Sequence, residues 1–192
     1  MIIVSTDRPV IARTLSDLNH AVIADDEHTG DAVAFHAGST IDESDRTGLT
    51  ISLDLFDVAV PARLGAHLGR AHVVTATADA VERLYPGMPS LAVAASWREY
   101  GVGCGIIVSH RDGVLLMAPN GLTYRRFTPG AAVVGDTYVA GLLDGLAAFG
   151  ALGTDPALRL ADLGSQDWLG VLERAETVAR SYGREAVLAL AR

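Results

Sequence analysis

The chain of 192 residues carries a formal charge of −8, and it contains one cysteine and no lysine. The absence of lysine excludes a Walker A phosphate loop, a Schiff-base lysine and a pyridoxal-phosphate site, because each needs an ε-amine. The 49% share of hydrophobic residues predicts one globular domain over 1–192. The acidic balance and the scattered arginines indicate no nucleic-acid partner.

The single thiol and the amino-terminal residues indicate the cellular compartment of the protein. Cys104 has no second cysteine with which to form an internal disulfide, which favours a reducing cytoplasmic setting. The first residues lack a basic region followed by a long apolar stretch, and no later segment reaches the length of a membrane helix. We therefore expect a soluble cytoplasmic protein with no membrane partner.

The first predicted element is a β-hairpin over 21–37. Two apolar runs, 21–24 and 32–37, are separated by a polar segment that contains Gly30. This hairpin does not fit the pattern of the rest of the chain. We expect 15–40 to form a projecting flap or lid, or a dimer surface.

Strands alternate with helices after residue 49. Strands are predicted over 49–55, 71–76 and 104–110, and helices over 61–68, 79–85 and 90–100. A turn at 111–113 joins the third of these strands to 114–118 in an edge hairpin, and 123–127 follows as another edge segment. The last third is helical, over 137–149 and 166–190. This order predicts an α/β fold with a mainly parallel sheet sandwiched by helices.

The strongest local feature is the start of the helix at 137–149. Gly135 and Asp136 immediately precede it. A helix start presents unpaired N–H groups and the positive end of the helix dipole, so it holds an anion without any cationic side chain. Asp136 beside such an anion is placed to accept a proton from an attacking hydroxyl. The alternative is that Asp136 only caps the helix.

This region resembles the C-terminal signature of the ribokinase-like, PfkB-type carbohydrate and nucleoside kinases. In that family a D-T-x-G-A-G-D segment opens a long helix that continues roughly as A-F-x-A-G-L-L. The matching residues here are Gly135, Asp136, Tyr138, Ala140, Gly141, Leu142 and Leu143. A weaker similarity extends over nearly all of the chain, and the predicted hairpin resembles the lid of the family.

The resemblance implies transfer of phosphate from ATP to a hydroxyl of a sugar or nucleoside-like substrate, with Asp136 as the general base. It implies that the backbone amides of Val134 and Gly135 stabilise the charge of the phosphate, and that ATP and Mg²⁺ are the cofactors. The residues expected to contact the nucleotide are Thr75, Gly101, Gly103 and Gly105. The alternative for these four is structural, namely a strand-end turn and a tight entry into a buried strand.

Three further residues are candidates for contacts with a small-molecule substrate. His20 and His36 flank the predicted hairpin, and Arg125 is placed to neutralise a phosphate or clamp a carboxylate. Adjacent strand residues face opposite ways, so at most one of Arg125 and Arg126 points into a site. The alternative for the histidines is a solvated flap. No HxH or HExxH spacing exists, and no metal-ligating residues are predicted.

The sequence also departs from the pattern of the family. The opening βαβ segment of the family has no counterpart before Met1, and the seven anion-hole positions read Gly-Ala-Ala-Val-Val-Gly-Asp over 130–136. The N-x-x-E motif is replaced by a segment ending in Asp79 and Glu82, without asparagine. Two alternatives to a kinase follow: a repurposed fold that catalyses proton transfer, cyclisation or dehydration, and a non-catalytic ligand-binding dimer. A shortened fold leaves apolar surface to cover, which predicts a homodimer through the flap or the sheet edges.

Overall fold

A computed structural model describes residues 3–5, 8–23, 32–37, 50–54, 64–100, 105–128, 135–153 and 155–190. Its strands are β1 (Ile3–Ser5), β2 (Ala21–Ile23), β3 (Ala32–Ala37), β4 (Thr50–Asp54), β5 (Val73–Thr77), β6 (Gly105–Ser109), β7 (Gly113–Ala118) and β8 (Gly121–Arg126). Its helices are α1 (Pro9–Asp17), α2 (Leu64–Leu68), α3 (Ala78–Leu84), α4 (Ser90–Glu99), α5 (Asp136–Ala148), α6 (Pro156–Ala161) and α7 (Ser165–Leu190). None of these helices is long and apolar enough to cross a bilayer.

The described strands form one mixed sheet in the order β2-β1-β3-β4-β5-β6-β7-β8. The strands from β2 to β6 run parallel to one another, whereas β7 is antiparallel to both β6 and β8. The prediction of an α/β fold is therefore confirmed. The antiparallel pairing of β6 and β7, which the turn at 111–113 joins, is confirmed as well. The sheet is mixed because β7 reverses direction after this tight turn.

The hairpin predicted over 21–37 is wrong. β2 and β3 do not pair with each other, because β1 lies between them and runs parallel to both. Val4 is the register partner of Val22 on one side and of Val33 on the other. The predicted flap over 15–40 also begins inside α1, while residues 24–31 and 38–40 lie outside the described residues. The apolar runs were correctly predicted as strands, but each of them hydrogen-bonds to β1 and not to the other.

The amino-terminal part of the chain is a β-α-β unit made of β1, α1 and β2. The helix begins at Pro9, whose fixed φ suits the first turn, and it buries Ile11, Thr14 and Leu15. Arg8 is its N-cap residue, with an extended backbone at φ −86° and ψ 109°. Neither β1 nor α1 was predicted from the sequence.

The sheet separates two hydrophobic clusters. Alternate residues of β5 point to opposite faces, so Val73 belongs to the cluster under α1, α5 and α7, and Val74 to the cluster under α2 and α4. Trp168 and Trp97 are the largest fully buried side chains of the two clusters.

Two glycines let α5 approach α7 closely. A Cβ atom at Gly141 would lie 2.7 Å from Cα of Ala175, and one at Gly145 would lie 3.0 Å from the carbonyl oxygen of Val171. Their four-residue spacing places both glycines on the face of α5 that packs against α7.

Candidate functional site

Two helices begin at the same edge of the sheet. The carboxyl ends of parallel strands share one edge, and α1 follows β1 there. β8 has the same direction as β6, because two antiparallel pairings separate them, so α5 also begins on that side. In open α/β sheets this edge is where ligands bind.

Arg8 and Asp136 join the starts of these two helices. The Nη2 group of Arg8 donates to Oδ1 of Asp136, and its Nε lies 3.4 Å from Oδ2. The two side chains are 22% and 19% exposed, so the pair lies at the surface of the site and is open to solvent. Oδ1 is held firmly, whereas the contact to Oδ2 is long for a charge-assisted hydrogen bond.

Gly135, the N-cap residue of α5, has a backbone conformation that only glycine adopts readily. Its φ is 119° and its ψ is −165°. Among the described residues, no atom lies within 4 Å of the position that a Cβ would occupy. In this part of the chain nothing covers the start of α5 beside Gly135.

The charges at this edge favour an anionic ligand. The charges of Arg8 and Asp136 cancel, while the starts of α1 and α5 each contribute roughly half a positive charge from the helix dipole. No group of three His, Cys, Asp or Glu side chains in the described ranges lies close enough together to hold a metal ion. The two helix starts therefore favour an anion at this edge.

The two described residues among those predicted to contact the nucleotide, Thr75 and Gly105, are not brought to this site. Thr75 lies buried in the middle of β5. The amide of Gly105 donates to the carbonyl of His72, and a Cβ atom there would lie 2.9 Å from the ring of Trp168. Gly105 is thus needed for packing. Gly101, Gly103 and Val134 lie outside the described residues, and His36 is described only as a backbone position in β3.

His20 lies at the other end of α1. Its Nε2 is 2.9 Å from Oδ1 of Asp144, and the Nε of Arg174 donates to Oδ2 of the same carboxylate. Burial alone raises the pKa of Asp144, but the hydrogen bonds from Arg174 and His20 outweigh it and lower this pKa. Asp144 is eight residues beyond Asp136, about 12 Å along the helix, so His20 and Asp136 belong to different clusters.

Arg125 belongs to a third cluster, beside the first turn of α5. Its Nη2 donates to Oε2 of Glu176 over 3.0 Å, and the backbone amide of Thr128 donates to Oε1 over 2.8 Å. Burial raises the pKa of Glu176, but the hydrogen bonds from Thr128 and Arg125 lower it overall. Arg125 faces α7 and Arg126 is exposed, as strand alternation predicts.

Sequence reasoning missed Arg8 and Glu176. The Arg8-Pro9 step is a signal for a helix start, because proline is favoured in the first turn. Glu176 is a buried acid on the apolar face of α7, between Ala175 and Val178. Such an interruption of a hydrophobic stripe indicates a buried ion pair, although it does not name the partner.

Solved structures similar to this chain are sugar and nucleoside kinases. A fructokinase from Xylella fastidiosa with bound ATP is 19% identical over 69% of this chain and 45% of its own, with a TM-score of 0.53. An aminoimidazole riboside kinase from Salmonella enterica, complexed with aminoimidazole riboside and an ATP analogue, is 15% identical over 94% and 77%, with a TM-score of 0.54. A fructokinase from Vibrio cholerae O395, bound to fructose, ADP and calcium, gives the same identity, coverage and TM-score.

This chain thus spans less than half the length of the Xylella fructokinase. No protein-family model matches the sequence, and no curated protein matches it either. At these identities the likeness concerns the fold.

Proposed function

We propose that this chain, whose fold is ribokinase-like and of the PfkB type, transfers phosphate from ATP to a hydroxyl of a sugar or nucleoside-like substrate. The observation that carries the proposal is the position of Asp136. Its carboxylate lies at the start of α5, beside an open backbone at Gly135 and next to a guanidinium. A base and an anion site therefore lie side by side, as phosphoryl transfer needs.

Asp136 is proposed to act through Oδ2. Arg8 holds Oδ1 and orients the carboxylate, while the longer contact leaves Oδ2 able to accept the proton of the substrate hydroxyl. As that proton leaves, the hydroxyl oxygen forms a bond to the γ-phosphorus. The bond from that phosphorus to the β–γ bridging oxygen breaks, and ADP departs.

The anion site is proposed to stabilise the phosphate during this step. The amide of Gly135, the positive end of α5 and the guanidinium of Arg8 supply the charge. Val134 is proposed as a second amide donor, and Gly101 and Gly103 as contacts of the nucleotide. No step is assigned to Mg²⁺.

A non-phosphoryl reaction at the same carboxylate is the second candidate. The sequence over 130–134 replaces the residues that the kinase signature has before its Gly-Asp pair, and it places valine at 133 and 134. A β-branched residue adopts a positive φ poorly, so an altered anion loop favours proton transfer, cyclisation or dehydration instead. In a non-catalytic ligand-binding dimer, Asp136 would remain only as the partner of Arg8.

The test is transfer of radioactive γ-phosphate from ATP to a panel of sugars and nucleosides. Asp136→Asn should lower the turnover roughly 10²- to 10⁴-fold, because it removes the base. Asp162→Asn, an exposed change at the end of α6, is the matched control and should leave turnover unchanged. Transfer that survives Asp136→Asn contradicts the role of the base. ATP binding without transfer to any substrate supports the second candidate.

A homodimer is also proposed, through an edge of the sheet. β8 has only β7 as a neighbour among the described strands, and its Leu122 and Tyr124 are about half exposed. An open edge strand offers its backbone groups to a second copy. Light scattering should give twice the mass of the chain, and Leu122→Arg should give the single mass. A wild type that elutes with the single mass contradicts this arrangement.

A further inference from the structure

Two buried hydrogen-bond donors lie without an acceptor beside the start of α5. The Tyr138 hydroxyl and the Nε of Arg125 are buried atoms that have no hydrogen-bond partner in the part of the chain that the structure describes. The Tyr138 residue is only 2% exposed. Folded proteins pair nearly all their buried polar atoms, so two unpaired donors in one cluster need an explanation.

Both groups have a proton to donate. Burial raises the pKa of Tyr138, so its phenol keeps the proton, and an arginine guanidinium has no acceptor. The charges of Arg125 and Glu176 both act on this phenol, so the three groups belong to one neighbourhood. The ring of Phe127 packs edge-on against Tyr138 at 5.9 Å between centroids and holds it in place.

The one carboxylate of the cluster is already engaged. Glu176 accepts from Arg125 at 3.0 Å and from the Thr128 amide at 2.8 Å, and Nη2 of Arg180 lies 3.5 Å from Oε1. Two guanidinium groups against one carboxylate leave the cluster with a net charge of about +1. A ligand that satisfies both free donors and carries one negative charge would also neutralise the cluster.

We propose that Arg125 and Tyr138 bind an anionic oxygen of a phosphate or carboxylate group. The Arg125 side chain is 24% exposed and Thr128 beside it is exposed, so the two buried donors lie beneath a part of the surface that solvent reaches. Tyr138 is two residues beyond Asp136 on α5, so its side chain leaves the helix roughly 160° around the axis from that of Asp136, and the subsite is separate from the proposed catalytic carboxylate. The proposal does not rest on phosphoryl transfer, because it uses no contact of Asp136.

The experiment measures thermal unfolding and calorimetric titration with inorganic phosphate and, separately, with acetate, against chloride at equal ionic strength. The wild type should show saturable stabilisation by phosphate, acetate or both, and the two arms identify which group is bound. Tyr138→Phe should weaken the binding about tenfold, because it removes one hydrogen bond to a charged ligand. Without the anion, Tyr138→Phe should melt at the same or a higher temperature, since it removes an unpaired buried hydroxyl.

Two neighbouring residues provide matched controls. Arg126→Gln removes a guanidinium from the opposite face of β8, and Tyr124→Phe removes an exposed phenol from the same strand. Both should bind the anion like the wild type, whereas Arg125→Gln should abolish binding. If Arg125→Gln does not fold because Glu176 has lost a partner, Tyr138→Phe decides the question.

Three results would overturn the proposal. The first is that neither phosphate nor acetate stabilises the wild type more than chloride does. The second is that Tyr138→Phe binds the anion with unchanged affinity. The third is that a crystal structure grown with saturating phosphate or acetate shows only an ordered water between the two donors. Asp136→Asn separates this proposal from the kinase proposal. It should bind the anion normally, so lost phosphate transfer with retained binding leaves the subsite intact.

Discussion

The two ends of α1 contact α5 through pairs of the same kind but with different surroundings. At one end Arg8 meets Asp136, with side chains 22% and 19% exposed. At the other end His20 meets Asp144, with side chains 7% and 5% exposed. Asp144 also has Arg174 as a second partner, whereas the contact between Oδ2 of Asp136 and Arg8 is long.

This difference separates a carboxylate that a ligand can reach from a structural one. A buried acid with both oxygens engaged has nothing left to offer a substrate, and removing its partners would leave an unpaired charge in the interior. An acid at a solvent-facing helix start keeps one oxygen for a ligand. The proposed chemistry therefore falls to Asp136, whereas Asp144 joins α1 to α5 through His20.

The largest expected change in stability is at the buried end. Asp144→Asn should lower the free energy of unfolding by about 2 kcal/mol, because it replaces two charge-assisted hydrogen bonds by weaker ones. The pKa of Asp144 is lowered from 3.8, so its stabilisation is fully present above that pH and is lost as the pH falls through the folded-state pKa. Urea unfolding at pH 7 and in acid should show the two proteins converging as the pH falls.

Phosphate transfer sharpens this prediction. At a temperature where both proteins are folded, Asp144→Asn should transfer phosphate as fast per molecule as the wild type, because Asp144 lies about 12 Å from Asp136 along α5. The exposed substitution Asp162→Asn should change neither the free energy of unfolding nor the rate of phosphate transfer. If Asp144→Asn loses phosphate transfer but keeps its stability, Asp144 and not Asp136 would be the candidate for the chemistry.

Sequence patterns predicted most of the elements but not the contacts that complete the site. The helix that begins at Asp136 was predicted because apolar residues and small residues follow a Gly-Asp start. Arg8 lies 128 residues away from Asp136, and Glu176 lies 48 residues from Thr128. Pairs this distant leave no periodic trace in a single sequence, since only the packed fold brings them together.

The error over 21–37 has a related cause. Short apolar runs indicate strands, but hydrogen bonding to a neighbour decides where each strand lies in the sheet. β1 has only three residues, too few for a pattern, yet it separates β2 from β3. Because this short strand lies between β2 and β3, the two do not form a hairpin, and β2 instead belongs to the β-α-β unit of β1, α1 and β2. Arg8 lies between β1 and α1 and is thereby placed beside α5.

The two ends of α5 itself provide the smallest and most selective test. Gly135 before the helix and Gly150 after it both have positive φ, at 119° and 68°, and neither has a described atom within 4 Å of the position that a Cβ would occupy. Alanine at either position should cost about 1 kcal/mol of stability through backbone strain alone. Chemical unfolding of Gly135→Ala and Gly150→Ala measures this cost.

Only Gly135→Ala should also weaken ATP binding and phosphate transfer, because its backbone borders the proposed anion site. Gly150 lies at the far end of the helix, where its amide donates to the carbonyl of Ala147. Equal losses of stability with unequal losses of binding would show that the site, and not the helix as a whole, requires glycine at 135. If both variants bind ATP equally well, the start of α5 does not hold the phosphate, and the role of Asp136 reduces to pairing with Arg8.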